Sequence, residues 1–222
     1  MNLFSEINQA LKELGDPERA LQMEKYTRHR FSYFGLNAGT RLQAFKVLKP
    51  KIKALSHPEY LALMQALWDG DKRELQYFAI DMGKWQKKRF TPADLPILET
   101  LLMNKSWWDS IDLLSTNVIS EIGKQFPFDF EPYRLKWINS DHMWLNRTTI
   151  IYQLKYGKET NLEKLEEAIL PHLRSPEFFH QKAIGWSLRQ YTRVNPDWVQ
   201  NFVERHEIVG LARREALRLI KA

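Results

Sequence analysis

The chain has 222 residues, 44% of them hydrophobic, with 33 Lys and Arg against 27 Asp and Glu, a formal net charge of +6, and no cysteine. Disulfide staples and thiol chemistry are excluded, while the apolar content is ample for a buried core. With no charged-then-apolar leader and no membrane-length apolar run, a soluble cytoplasmic protein without a membrane partner is expected, its basic excess a modest bias toward polyanions.

Helical periodicity dominates, and no stretch alternates as a strand would. Asn2 to Leu14 puts Leu3, Phe4, Ile7, Leu11 and Leu14 on one face. Gly15 stops that helix and Asp16-Pro17 opens the next, an N-cap followed by a first-position proline, which runs to about Arg30. Phe34-Gly35-Leu36-Asn37 reads as a turn, and a third helix starts near Ala38, with Pro50 ending or kinking it. Further helices are expected at Glu59 to Asp69, Lys72 to Lys88, Ala93 to Asn104, Ser106 to Gln125 and Glu131 to Ile138. Met143 to Tyr156, Leu162 to Leu173, Glu177 to Arg193, Asp197 to His206 and Leu211 to Ala222 complete the set. Connections are short and built from Gly, Pro, Asn, Asp or Ser, so one all-α domain over 1–222 is expected.

The stretch Lys105-Ser106-Trp107-Trp108-Asp109-Ser110-Ile111-Asp112 is costly for a helix that only has to pack. Ser106 reads as an N-cap and Asp109 as a first-turn carboxylate favoured by the helix dipole. Trp108 and Asp112 share one face and Trp107 and Ile111 the next, so one pair can look into the core while the other looks out.

Asp112, Arg147 and Lys182 are spaced about 35 residues apart, and Arg214 follows at roughly 32, each near the start of the second helix of a pair. That period is the mark of an α-solenoid, in which equivalent positions line up along one surface. Trp108 and Trp186 lie one turn from Asp112 and Lys182. A basic track with aromatics set into it suits a nucleic-acid backbone, and a peptide-binding groove is the alternative left open.

Lys105 to Asp112, Trp144-Leu145-Asn146-Arg147, Gln153 to Tyr156, Phe178 to Trp186 with Leu188-Arg189, and Arg213-Arg214-Glu215-Ala216 together resemble the DNA alkylation repair family, the AlkD-like DNA glycosylases. The resemblance is dense from about Trp68 onward and looser before it. It implies a solenoid of HEAT-like helical repeats with a concave basic groove. It also implies hydrolysis of the N-glycosidic bond of positively charged N3- or N7-alkylated purines in duplex DNA, without metal or cofactor. The family's catalytic aspartate falls on Asp112 and its backbone-gripping arginine on Arg147. The tryptophans that flank the lesion fall on Trp108 and Trp186, and a tyrosine near the site on Tyr26. Lys155, Lys182, Arg189, Arg213 and Arg214 complete the expected DNA contacts, and a monomer is expected.

A base alkylated at N3 of adenine or N7 of guanine is already cationic and leaves as a neutral purine. The second carboxylate of a sugar hydrolase, the general acid, is then unnecessary. What remains is an oxocarbenium-like sugar that needs one anion and one oriented water, both within reach of a single aspartate. Arg147 is expected to lower the pKa of that aspartate by proximity. Other chemistries fit poorly. His29, His57, His142, His172, His180 and His206 lack metal-ligand spacing and read as surface or capping residues, and no phosphate-cradling glycine loop is present. Trp68, Trp85, Trp137 and Trp198 read as core aromatics of the repeats. The competing reading is a non-catalytic HEAT-repeat module that binds DNA or protein.

Overall fold

The computed structural model describes residues 2–220. The chain divides into two compact units, Met1–Gln86 and Lys87–Ala222. Among the described residues there is no strand, only one isolated bridge between Ser32 and Lys72, and no helix is long and apolar enough to cross a membrane. The all-α expectation holds.

The first unit contains α1 (Leu3–Glu13), α2 (Pro17–Tyr26), α3 (Ala38–Lys53), α4 (His57–Asp69) and α5 (Arg73–Trp85). Asp16 caps α2 by accepting the amide of Arg19, as the Asp-Pro signal predicts. Helix α2 stops at Tyr26, four residues short of the expected Arg30, because Arg28 and His29 take left-handed backbone with φ 56° and 57°. Pro50 sits inside α3 without ending it. The 34–36 turn is tied down by buried Glu74, whose carboxylate accepts the amides of Phe34, Gly35 and Leu36 at 2.8–3.0 Å. Gly35 is required there, with φ 95° and space so tight that a Cβ would lie 1.9 Å from the Asp16 carbonyl oxygen.

The second unit begins with α6 (Leu95–Met103). A long helix follows in three parts: α7 (Trp108–Leu114), a π-helical turn Ser115–Ile119 and α8 (Ser120–Gln125). Next come α9 (Pro127–Ile138), α10 (Met143–Ile151), α11 (Leu162–Ile169), α12 (Phe178–Tyr191), α13 (Pro196–Arg205) and α14 (Gly210–Ala216). The last expected helix, Leu211 to Ala222, continues past α14 as a 3₁₀ turn at Leu217–Leu219, and Lys221 and Ala222 lie outside the described residues. The second helices of successive pairs, α7, α10, α12 and α14, pack one on the next, which is solenoid-like stacking. The apolar faces of α10, α12 and α14 join those of α11 and α13 in a continuous core including Ile150, Ile151, Ile184, Leu188, Phe202 and Ala212. Each fully buried Ile or Leu contributes on the order of 1.5–3 kcal/mol.

A side-chain amide latches several of these pairs. Gln76, Asn146 and Gln181 are each the fourth residue of α5, α10 and α12. Each donates its NH₂ to three carbonyls that close the preceding helix: Leu67, Trp68 and Gly70; Trp137, Ile138 and Ser140; His172, Leu173 and Ser175. The Leu67, Trp137 and His172 carbonyls also accept the amides of Gly70, Ser140 and Ser175, so the side-chain amide and the turn that follows close each helix end together.

Three local expectations are corrected. Ser106 is not an N-cap: its hydroxyl donates to the Leu102 carbonyl at 2.6 Å and so closes α6 rather than opening α7. Trp85 and Trp198 are half-buried at the edges of the core, against Phe45 and Phe202 respectively, while Trp68 and Trp137 are fully enclosed. His180 is buried rather than on the surface, bonded through Nδ1 to Ser175 Oγ at 2.8 Å with its ring 4.5 Å from that of His172.

Candidate nucleic-acid site on the second unit

Asp112, Arg147, Lys182 and Arg214 are each the fifth residue of their helix, in α7, α10, α12 and α14. Equal register on stacked helices places them in one row, the physical basis of the spacing seen in the sequence. Trp107 and Ile111 face the core, so Trp108 and Asp112 are the outward pair, both half-buried.

The middle of the row is an ion pair. Arg147 Nε donates to one Asp112 oxygen at 2.7 Å and Nη2 to the other at 2.8 Å, a two-point contact. Its Nη1 donates to the Phe179 carbonyl at 2.7 Å, so all three nitrogens are engaged. The arginine side chain is 4% exposed and the aspartate 14%. Solvent therefore meets the pair at its carboxylate end. Arg147, expected to grip a phosphate, is withdrawn beneath Asp112 and faces it instead.

Beneath the pair lies an aromatic bed that the sequence reading did not assemble. Trp107 packs edge-on against Trp144 and Phe179, with centroids 5.8 and 5.2 Å apart, and Trp144 and Phe179 lie 4.9 Å apart. The Arg147 guanidinium lies 5.8 Å from the Phe179 ring centre. Such pairs add about 0.5–1.5 kcal/mol each beyond area burial, and they fix the rotamer of the arginine that aims the carboxylate.

Burial decides the acidity of Asp112. Loss of hydration pushes its carboxyl above the ordinary aspartate value, against the opposing bonds and charge of Arg147 and with a smaller push from Asp109. The expected lowering by Arg147 is thus present but outweighed, since a carboxylate so largely enclosed loses more hydration than this partner returns. His180 is pushed down to about 4 by burial, His172 and Arg147, and is neutral near pH 7.

The helix carrying Asp112 widens into its π turn directly after it. Thr116 Oγ1 donates to the Asp112 carbonyl and Asn117 Nδ2 to that of Leu113, both at 2.7 Å. Such widened turns recur at functional sites. The run Ser115-Thr116-Asn117, three side chains that compete for helix carbonyls, is the signal that foretells it. Asn117 Oδ1 in turn accepts from Lys155 Nζ at 2.7 Å, holding that exposed lysine beside the turn.

On α12, Phe179, Lys182, Trp186 and Arg189 form one stripe, with Trp186 half-buried. Lys182 and Arg189 both reach Glu215 on α14. Arg213 and Arg214 are exposed and join no ion pair among the described residues. Tyr26, 68% exposed at the end of α2, belongs to the first unit. Among the described residues no three His, Asp or Glu side chains are placed to hold a metal ion.

A row of this geometry on stacked helices can be compared with known proteins. The family model for the DNA alkylation repair enzyme matches residues 7–220. This chain belongs to that family. A solved structure from Enterococcus faecalis, described as a predicted DNA alkylation repair enzyme, is 30% identical and covers 94% of this chain and 98% of its own, with a TM-score of 0.88. Among curated proteins nothing matches. Membership supports a role in DNA repair and DNA as the substrate.

Proposed function

We propose that this family member is a monofunctional DNA glycosylase that excises positively charged N3- and N7-alkylated purines, of the 3-methyladenine and 7-methylguanine type, from duplex DNA. The observation that carries the reading is the orientation of the Asp112–Arg147 pair, with the guanidinium buried and the carboxylate facing out. In the proposed reaction the C1′–N bond breaks and its electron pair neutralises the departing purine. The sugar becomes oxocarbenium-like, a water attacks C1′, and its proton passes to Asp112. Arg147 occupies two of the roughly four lone-pair positions of the carboxylate, leaving the others to face the cation and orient the water. The half-buried indoles of Trp108 and Trp186 favour a cation on their faces by about 0.5–2 kcal/mol each. Arg147 acts as a positioning residue for Asp112, and phosphate contacts fall to Lys155, Lys182, Arg189, Arg213 and Arg214.

The scheme uses no second carboxylate as general acid, so neutral lesions such as uracil or hypoxanthine are refused. Cationic adducts larger than methyl are accepted, because the residues of the row offer flat indoles and charges rather than a base-reading pocket. The decisive experiment is single-turnover release of 7-methylguanine from duplex DNA. Asp112→Asn should lower the rate by roughly 100-fold or more, as for loss of one preorganised electrostatic group, with duplex binding retained. Undiminished release by the Asn variant removes Asp112 from the role. Efficient release of uracil by the wild-type chain removes the charge-based scheme.

A further inference from the structure

Among the described residues, Glu215 is the one carboxylate in direct contact with the expected phosphate-binding cations of α12. Lys182 Nζ is 2.8 Å from its Oε1, and Arg189 Nη1 bonds its Oε2, so both oxygens and both cations are engaged. Lys182 and Arg189 stand four residues before and three after Trp186, so the carboxylate ties the two charges on either side of that indole. The approach that permits this is built into the backbone: a Cβ on Gly185 would lie 2.4 Å from Glu215 Cβ and 2.9 Å from the Ala212 carbonyl oxygen. Helices α12 and α14 therefore meet at Gly185, and no larger residue there keeps Glu215 between Lys182 and Arg189. The Glu215 carboxyl is held below the usual glutamate range chiefly by Lys182, then by Arg189, and stays anionic. Exposed Arg213 and Arg214 differ, joining no ion pair among the described residues.

We infer that Glu215 is a specificity-determining residue, a built-in counter-anion that competes with DNA phosphate for Lys182 and Arg189 and so weakens the grip on undamaged duplex. The inference rests on the proposed reading in taking duplex DNA that carries alkylated purines as the substrate. A cation free in solution contributes close to one unit of salt dependence per phosphate contact. A cation already neutralised by a fixed carboxylate contributes less, because the phosphate must displace that carboxylate and approach its charge. Undamaged sites vastly outnumber lesions, so a lower non-specific affinity leaves more of the enzyme at lesions.

The test uses the intact chain, a short undamaged duplex and the same duplex with one 7-methylguanine, with affinities measured from about 0.05 to 0.2 M salt. Glu215→Gln should bind the undamaged duplex about tenfold tighter, with a log-affinity against log-salt slope steeper by about one to two. The preference for the lesion duplex should shrink by a similar factor. Adding Lys182→Gln should remove most of the gain, since the liberated cation is then missing. Glu215→Ala should act in the same direction, and unfolding midpoints recorded alongside identify any loss of folded protein. Weaker or unchanged binding with an unchanged or shallower slope, in variants that remain folded, overturns the assignment and leaves Glu215 as a strut between α12 and α14. Excision and duplex binding by the wild-type chain with no response to Glu215→Gln defeats this inference alone. A wild-type chain that neither binds duplex nor releases alkylpurine defeats the glycosylase reading as well.

Discussion

Each unit contains an enclosed Arg–Asp pair linking two helices, and these two pairs are built with opposite polarity. In the first unit Arg41 on α3 meets Asp81 on α5 through a single Nε–Oδ2 contact of 2.7 Å, with side chains 11% and 5% exposed. The Arg41 guanidinium also lies 5.1 Å from the ring centre of Tyr77. In the second, Arg147 is the hidden partner and Asp112 the visible one, at 4% and 14%. The residue types of the two pairs are the same, and what differs is the number of contacts and which charge faces outward. An outward carboxylate can stabilise a cation on a bound molecule, while an inward one can only complete the interior. Enclosed ion pairs add little net stability over apolar replacements, so the polarity of a pair says more about its use than its presence does.

The largest expected effect comes from breaking each pair on one side. Arg147→Met and Arg41→Met both strand a carboxylate, and each should cost about 3–5 kcal/mol in urea unfolding. Only Arg147→Met should also abolish single-turnover excision in the folded fraction. Equal loss of excision in folded Arg41→Met protein would erase the distinction between the pairs.

Replacing both partners sharpens the contrast. Arg41→Met with Asp81→Leu should return to within about 1–2 kcal/mol of wild-type stability and keep excision. Arg147→Met with Asp112→Leu should recover much of its stability and remain inactive by roughly 100-fold or more. Activity in the second double variant would show that neither pair does chemistry.

Acid should separate the pairs next. His180, buried beside Arg147, binds its proton less readily folded, at about 4, than unfolded, near 6.5. The unfolded chain takes up the proton first, so stability is intact above pH 6.5 and falls as pH drops toward 4, by up to about 3 kcal/mol. His180→Gln should flatten that fall in urea titrations across this window. An identical pH dependence in the variant would assign it elsewhere.

The smallest effect is a displaced pH limb. The Asp112 carboxyl lies above the ordinary aspartate value of about 3.9, and catalysis requires its ionised form. Excision should therefore fall as pH drops through a value higher than 3.9, while duplex binding does not share that limb. A limb at or below 3.9 would mean that Arg147 outweighs burial after all.

Much of the helical plan is legible in the chain without coordinates. Asp16-Pro17, Asn37 and Asn161 cap where such residues should, and apolar periodicity finds the helices because each must bury one face. The 35-residue spacing of Asp112, Arg147 and Lys182 is legible because a solenoid repeats its register. The same period runs through Gln76, Asn146 and Gln181, at twice and then once the spacing, and marks the amide latches. Helix ends are less legible. Ser106 has the residue type of an N-cap, yet its hydroxyl turns back to Leu102, because the local sequence offers two acceptable partners and the chain path selects one.

The sequence by itself determined the helical class, the repeat and the identity of the row, since these follow from periodicity and local propensity. Only the tertiary structure decided which charges are spent on one another. Arg147 reads as a phosphate contact until α7 and α12 close around it and use all three of its nitrogens. Lys182 and Arg189 read as free cations until the contact at Gly185 brings Glu215 between them. Asp112 reads as a carboxylate acidified by its neighbour until burial removes more hydration than that neighbour returns. Charge is written residue by residue, whereas its pairing and hydration depend on what other helices place within a few ångströms, which no local pattern encodes.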